Sequence, residues 1–371
     1  VAFGLVTALA LVVLPVEAQT PLDDGKLTLY GDLRVRFESD WDSRREDGTL
    51  RDDRDRMRIR ARVGLNWNPI DIVTVGVRLR SGERRSQQSP NLTFWDLDGN
   101  GNDPAELSVD RLFIDFRGAG FETWFGRHTS PFWRQNELFW DDDASLTGGT
   151  FRHRWDTDDA EYQLVGGYYL LPDGMEQFAG RLLAGQFVYD HQGQRAGSTL
   201  TTGLFVVRGV ENTEHLRNGN GQRDYKLWSS SAQMRLSHAK FPVTLGADLT
   251  LNFESYSPDD PDPFTASNHD QTTGFAVSID VGRARQRWDW VAGYSFGHIE
   301  TLAVNASFAE NDWMRWGPIH QTDASDFYGH AFRLVLGLDP NVNVITQLYL
   351  VNAITSVQDG KRFRFDLNYR F

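Results

Sequence analysis

Arginines recur at every second position in several stretches of this chain. They stand at Arg34 and Arg36, at Arg56, Arg58, Arg60 and Arg62, and at Arg78 and Arg80, with Arg111 and Arg117 further on and Arg362, Arg364 and Arg370 near the end. A guanidinium stays charged at any ordinary pH and grips carboxylates or phosphates through paired hydrogen bonds. A spacing of two puts such residues on one face of an extended strand, because successive side chains point to opposite sides. Asp32, Asp110, Asp115 and Asp366 would sit among them and neutralise part of that basic face. Two chemistries fit: guidance of anions along a surface, or an internal salt-bridge network.

A second group carries the opposite charge. The stretch 129–146 holds Arg134, Glu137, Asp141, Asp142 and Asp143 amid Phe132, Trp133, Phe139 and Trp140. Aromatics that dense on an exposed loop would be costly, so the segment is expected to fold inward against the basic face; a cap on an outer rim is the alternative. A third group, Asp96, Asp98, Asn100 and Asp103 with Gly101 at the sixth position, matches the first half of an oxygen-donor Ca²⁺ loop. The match stops there, since the twelfth position is Leu107, so a structural Ca²⁺ competes with a solvated turn; no other cofactor is expected. The nine His are scattered, and neither Gly-x-Ser-x-Gly nor His-Glu-x-x-His occurs, which argues against a hydrolytic enzyme.

The elements that must position these groups read as strands. Met57, Ile59, Ala61, Val63, Leu65 and Trp67 alternate with Arg56, Arg58, Arg60, Arg62, Gly64 and Asn66, and Val243 to Phe253 repeats the pattern. That period is two, not 3.6. Sixteen such segments are expected: 27–38, 55–67, 72–82, 108–117, 121–128, 147–155, 160–171, 177–190, 197–208, 225–237, 243–255, 271–283, 288–300, 328–338, 342–353 and 361–371. Short turns such as Asn68 to Asp71 and Arg117 to Gly120 alternate with long polar connections such as 39–54, 83–107 and 301–327. Tight turns at one end and long loops at the other describe a transmembrane antiparallel β-barrel, all-β, with about sixteen strands and an inward-folded loop after the fifth.

Composition agrees. The chain combines 24 Phe, 12 Trp and 11 Tyr with 24% charged residues. Its mean hydropathy of -0.47 leaves no room for helical spans of about 20 apolar residues each, whereas half-apolar strands produce this mixture. Propeller-type repeats are not evident. A net charge of -13 excludes a general nucleic-acid binder, and the absence of cysteine excludes disulfides and thiolate metal sites. Residues 1–18 read as a signal peptide, an apolar run to Val16 with a small-residue cleavage site after Ala18, in preference to a membrane anchor. Residues 19–26 form a short N-terminal segment and 27–371 the barrel.

The run Asp55 to Leu65 followed by Val75 to Gly82 resembles the opening hairpin of the bacterial putative porins. So do Asp110 to Phe116, Gly126-Arg127 to Pro131-Phe132-Trp133-Arg134, and Leu138 to Asp143. The Arg-rich hairpin is more distantly similar to alginate-export barrels. The resemblance implies a bacterial outer-membrane porin, a passive channel for small hydrophilic solutes, with outer-membrane lipids and the barrel-assembly machinery as partners. An export or uptake barrel for an anionic oligo- or polysaccharide is the alternative, and an outer-membrane enzyme a more remote one. Sixteen-stranded general porins are trimers, so a homotrimer is expected, and the final strand ending in Phe371 resembles the signature by which such barrels are delivered for insertion. On this reading the arginines line the lumen and favour anions, and the pore narrows between them and the acidic loop.

Overall fold

Strict alternation gives each strand one face that avoids water and one that seeks it, and such strands satisfy every backbone group in a membrane only by closing into a ring. The computed structural model describes residues 19–22, 26–82, 90–172, 178–193, 195–209, 223–237, 241–305, 308–310, 312–314 and 324–371. The signal segment expected over 1–18 lies outside them. The strands in chain order are β1 (Gln19–Leu22), β2 (Leu27–Trp41), β3 (Arg54–Ile70), β4 (Val73–Ser81), β5 (Leu92–Asp96), β6 (Leu107–Gly118), β7 (Phe121–Thr129), β8 (Ser145–Asp156) and β9 (Ala160–Pro172). They continue as β10 (Phe178–Gln192), β11 (Ala196–Gly209), β12 (Tyr225–Leu236), β13 (Val243–Asn252), β14 (Thr273–Arg283), β15 (Trp290–Ile299), β16 (Phe327–Asp339), β17 (Val342–Ala353) and β18 (Asp359–Arg370).

Each strand of the ring pairs antiparallel with its neighbours, and β18 closes onto β2 with Arg370 opposite Asp32 and Lys361 opposite Trp41. Two short strands, β1 and β5, lie outside this cycle, leaving sixteen in the ring, as expected. Strand β1 pairs with Leu27 to Tyr30, continuing the row where Phe371 bonds Gly31 in both directions. Strand β5 folds back from the β4–β6 connection and pairs with Arg56 to Ile59, above the point where β4 stops. Neither was evident in the alternation; nor was the short helix α1 (Pro263–Ser267), started by Asp262 as its cap.

Facing follows the pleat. Leu33, Val63, Leu79 and Leu112 are exposed outward, while Arg36, Arg62, Arg78 and Asp110 are buried inward. One departure from alternation matters. Asp110 and Arg111 are adjacent, yet both belong to the inner face; a bulge sets Arg111 opposite Arg78 and Val109 opposite Leu79, which absorbs the extra residue. The tight β6–β7 turn places Ala119 and Gly120 both at positive φ, the geometry that matches strand twist in a two-residue hairpin. Near the tight-turn end, Trp67, Trp155, Trp288 and Tyr369 are exposed outward, and Trp155 lies flat on Tyr162 at 5.6 Å and 7°. Tyr369 stacks on Phe371. These rings form part of an aromatic girdle at the membrane interface.

The interior is not uniformly wet. Val165, Tyr169, Leu171, Leu182, Phe205, Val207, Tyr225 and Leu227 on β9 to β12 are buried inside the ring. They form one apolar cluster with residues of the β7–β8 and β15–β16 connections.

Candidate functional site

The β7–β8 connection, residues 130–144, enters the lumen. Phe132, Leu138, Phe139 and Trp140 are buried, with Phe132 and Trp140 each 4.9 Å from the Phe205 ring. Burying such side chains stabilises the docked loop by about 1.5–3 kcal/mol each. Polar contacts fix its path: Gln186 of β10 brackets Trp133 (2.7 and 3.0 Å), and Asp248 of β13 accepts from Gln135 (2.5 Å) and Asn136. The loop then crosses toward β3, where Asp143 accepts from Arg62 (2.6 Å) and contacts Arg60 (3.3 Å), and ends at β8 with Ser145 donating to Asp110 (2.8 Å).

A second connection, between β15 and β16, folds in beside it. Leu302 and Ala303 bond to Asn252 and Thr250, Trp313 packs on Phe327 and Tyr349, and Phe308 packs on Trp140. The two loops are stitched backbone to backbone: Asp141 N donates to Phe308 O (2.6 Å) and Glu310 N to Glu137 O (3.0 Å). Sequence reading missed this loop. Its signal was available, since Phe308, Glu310, Asp312 and Trp313 repeat the mixture of aromatics and acids seen in Phe139 to Asp143.

The arginine wall exists as a contiguous inner face but is paired nearly throughout. Arg36 holds Asp366 through two bonds (2.7 and 2.8 Å). Arg34 lies 3.7 Å from the same carboxylate. Asp32 accepts from Arg60 (3.0 Å) and Arg62 (2.5 Å), and Asp110 from Arg78 (2.6 Å). Glu38 accepts from Arg56 and Arg364 (2.9 Å), with Arg58 at 3.6 Å. Asp40 takes Arg362 (2.5 Å) and Arg54 (2.7 Å). Asp312 of the second loop reaches both Arg364 and Arg36. Arg80 is buried inward and Arg111 half-buried beside it. Arg117 departs from the expected wall: it sits at the tight-turn rim, more than half exposed, holding Asp115 (2.6 Å) and Glu122.

These contacts correct the expected constriction. No gap separates Arg60 and Arg62 from the loop, because Asp143 bonds them directly. The open space lies beside that contact, a chamber of about 250 Å³. It is bounded by Arg34, Arg36 and Asp366, by Gln135 to Leu138 and Asp141 to Asp143, by Glu310, Asp312 and Trp313, and by inner residues of β14 to β17 including Asp280, Tyr294 and Arg333. Arg134, the cation of the first loop, is half-buried.

Burial and mutual repulsion set the loop acids. Burial, then Asp142, pushes Glu137 up to about 7. Burial and neighbouring carboxylates hold Asp141 and Glu310 well above the usual carboxylate range. Asp142 is held below it despite burial by Arg60, Arg62, Arg134 and Arg34.

Among the described residues, the carboxylates of the Ca²⁺-like loop form no close group of three. Asp96 Oδ1 accepts from the backbone of Asp98 and Asn100 (3.0 Å each), Asp98 takes Asp55 N, and Asp103 takes Thr93 N (2.6 Å). Each carboxylate ties down a different piece of backbone. Among the described residues, the acids that do converge closely are Asp141, Asp142 and Asp143.

Residues 46–178 match the family model described as Putative porin. No curated protein matches the chain. Among solved structures, it is similar to OprB of Pseudomonas putida at high pH (13% identity, 94% of this chain and 95% of that one, TM-score 0.59). It is also similar to OmpF of Salmonella typhi in complex with daunomycin (11% identity, 95% and 100%, TM-score 0.56). A third likeness is to OmpT, an outer-membrane protein of Vibrio cholerae in a trimer form (10% identity, 96% and 100%, TM-score 0.52). The fold is that of the outer-membrane porin barrels, and the apolar outer face with its aromatic girdle places the barrel in that membrane.

Proposed function

We propose that the chain is an outer-membrane porin, a passive channel for small hydrophilic solutes whose lumen is narrowed by two docked loops. The observation that carries this reading is the chamber: a closed ring of strands encloses a polar space, with the Putative porin match covering the strands and loop on one side of it. The match and the barrel likeness point to a conduit rather than a catalyst.

The paired wall weakens both the anion preference and the anionic-polymer alternative, which rested on arginines open to solute. A homotrimer remains part of the proposal, supported by the trimer form of the V. cholerae barrel, as does delivery by the assembly machinery through the last strand. Proteoliposome swelling with uncharged sugars of increasing size tests the channel. Swelling that falls off with solute size is expected. No swelling above protein-free liposomes, from protein shown to be folded, would refute it.

A further inference from the structure

We infer that the chamber between the two loops is a filter for cationic solutes, passing small organic ammonium and guanidinium ions in preference to anions of equal size. The inference rests on the channel reading and names its solute class. The charges lining the chamber are Arg34, Arg36 and Arg333 against Glu137, Asp141, Asp142, Asp143, Asp280, Glu310, Asp312 and Asp366. Each of the three arginines already has a carboxylate: Asp366 at 3.7 Å from Arg34 and 2.7 Å from Arg36, and Asp280 at 3.0 Å from Arg333. Asp143 and Asp312 are neutralised from behind by Arg60, Arg62 and Arg364.

That leaves Glu137, Asp141 and Asp142 from one loop and Glu310 from the other. Among the described residues none of the four has an ion pair, and neither does Arg134. Asp141 and Glu310 are at least nine-tenths buried and still meet no cation; Asp141 accepts from Asp143 N (2.7 Å), and Glu310 accepts from Asp312 N (2.7 Å) and shares a side-chain hydrogen bond with Glu137. Of the four, Asp142 and, as pH passes neutrality, Glu137 supply the negative charge that concentrates cations in the space between the loops, and low-dielectric walls sharpen the effect. The far wall offers Ser278, Tyr294 and Ser295, which solvate an ammonium without adding positive charge.

Protonation modulates the filter. Glu137 faces Glu310 and Asp312 of the second loop and Asp142 and Arg134 of its own. Asp141 faces Asp142, Asp143 and Asp312, and Asp142 faces Arg34, Arg60 and Arg62. With Glu137 titrating at about 7, the negative charge of the chamber grows as pH rises through neutrality.

The test is the reversal potential of the folded wild-type channel in a KCl gradient at low salt. The expected K⁺/Cl⁻ permeability ratio is on the order of threefold or more at pH 8, smaller at pH 6, and near unity in about 1 M salt, where the Debye length is about 3 Å. Asp142→Asn with Glu137→Gln should remove most of the preference. Uptake of arginine faster than glutamate into proteoliposomes gives a second readout that needs no variant. Conductance steps with no cation preference, or a preference that the double variant leaves intact, would overturn the filter and spare the channel. Absence of steps from folded protein would instead overturn the channel reading.

Discussion

Replacing Asp143 by Asn should release the acidic end of the β7–β8 loop while its aromatic end stays docked. Asp143 is buried and serves two buried guanidiniums, Arg62 at 2.6 Å and Arg60 at 3.3 Å. Removing one partner of a buried pair costs about 3–5 kcal/mol, because the remaining charge is left uncompensated. Here Asp32 continues to hold both arginines through their Nε atoms, at 3.0 and 2.5 Å, so the lower end applies. A loss of about 3 kcal/mol lowers the docked-to-undocked ratio roughly a hundredfold, at about 1.4 kcal/mol per tenfold.

Hydrogen exchange reads this directly. The Asp141 amide, bonded to Phe308 O, should exchange on the order of a hundredfold faster in the variant, while amides near Phe132 change little. Arg62→Met should reproduce part of the effect, and a double-mutant cycle with Asp143→Asn should show coupling above about 1 kcal/mol. Unchanged exchange at Asp141 in a folded variant would show that the aromatics alone hold the loop, refuting the role given to the ion pairs.

Three other outcomes are expected. The Glu137 carboxyl has a pKa raised to about 7, so the docked loop binds its proton more tightly than a free loop does. Its contribution to docking is therefore full at low pH and is lost as pH rises from the ordinary carboxylate range to about 7; loop exchange at fixed intrinsic rate should speed up over that window, and Glu137→Gln should flatten the profile. Gly126 has φ +117° and a Cβ there would lie 2.3 Å from Leu112 O, so Gly126→Ala should cost about 1–3 kcal/mol and lower the heat-modifiable folded fraction on gels. Trp155→Ala should lower stability to urea in lipid vesicles by at least about 0.5–1.5 kcal/mol through loss of its stack on Tyr162, and Trp155 fluorescence should be quenched by lipids brominated near the headgroup.

The ring was legible because lipid on one side and water on the other impose a period of two, and all sixteen ring strands announce it. The inward fold of the β7–β8 loop was legible for a related reason: Phe132, Phe139 and Trp140 needed a cover that water does not give, and the β9–β12 interior provides it. What the alternation could not convey was partnership. Whether Arg60 faces solute or Asp143 depends on where a loop lands after crossing the lumen, and Asp366 meets Arg36 only because the ring closes in one register. The same limit hid β5, whose pairing with β3 depends on β4 stopping at Ser81. It also hid the β15–β16 loop, whose acids matter only beside Glu137 and Asp141.

The central claim is that solute passes the chamber between the two docked loops, and the absence of cysteine allows it to be tested at one atom. Asp142 lines the chamber and is partly accessible. In planar bilayers, Asp142→Cys channels should lose most of their single-channel current when a bulky cationic methanethiosulfonate is added, and recover it with a reducing agent. Current that stays constant while mass spectrometry shows the thiol fully modified would mean that permeation, if any, takes another route, and would contradict the account.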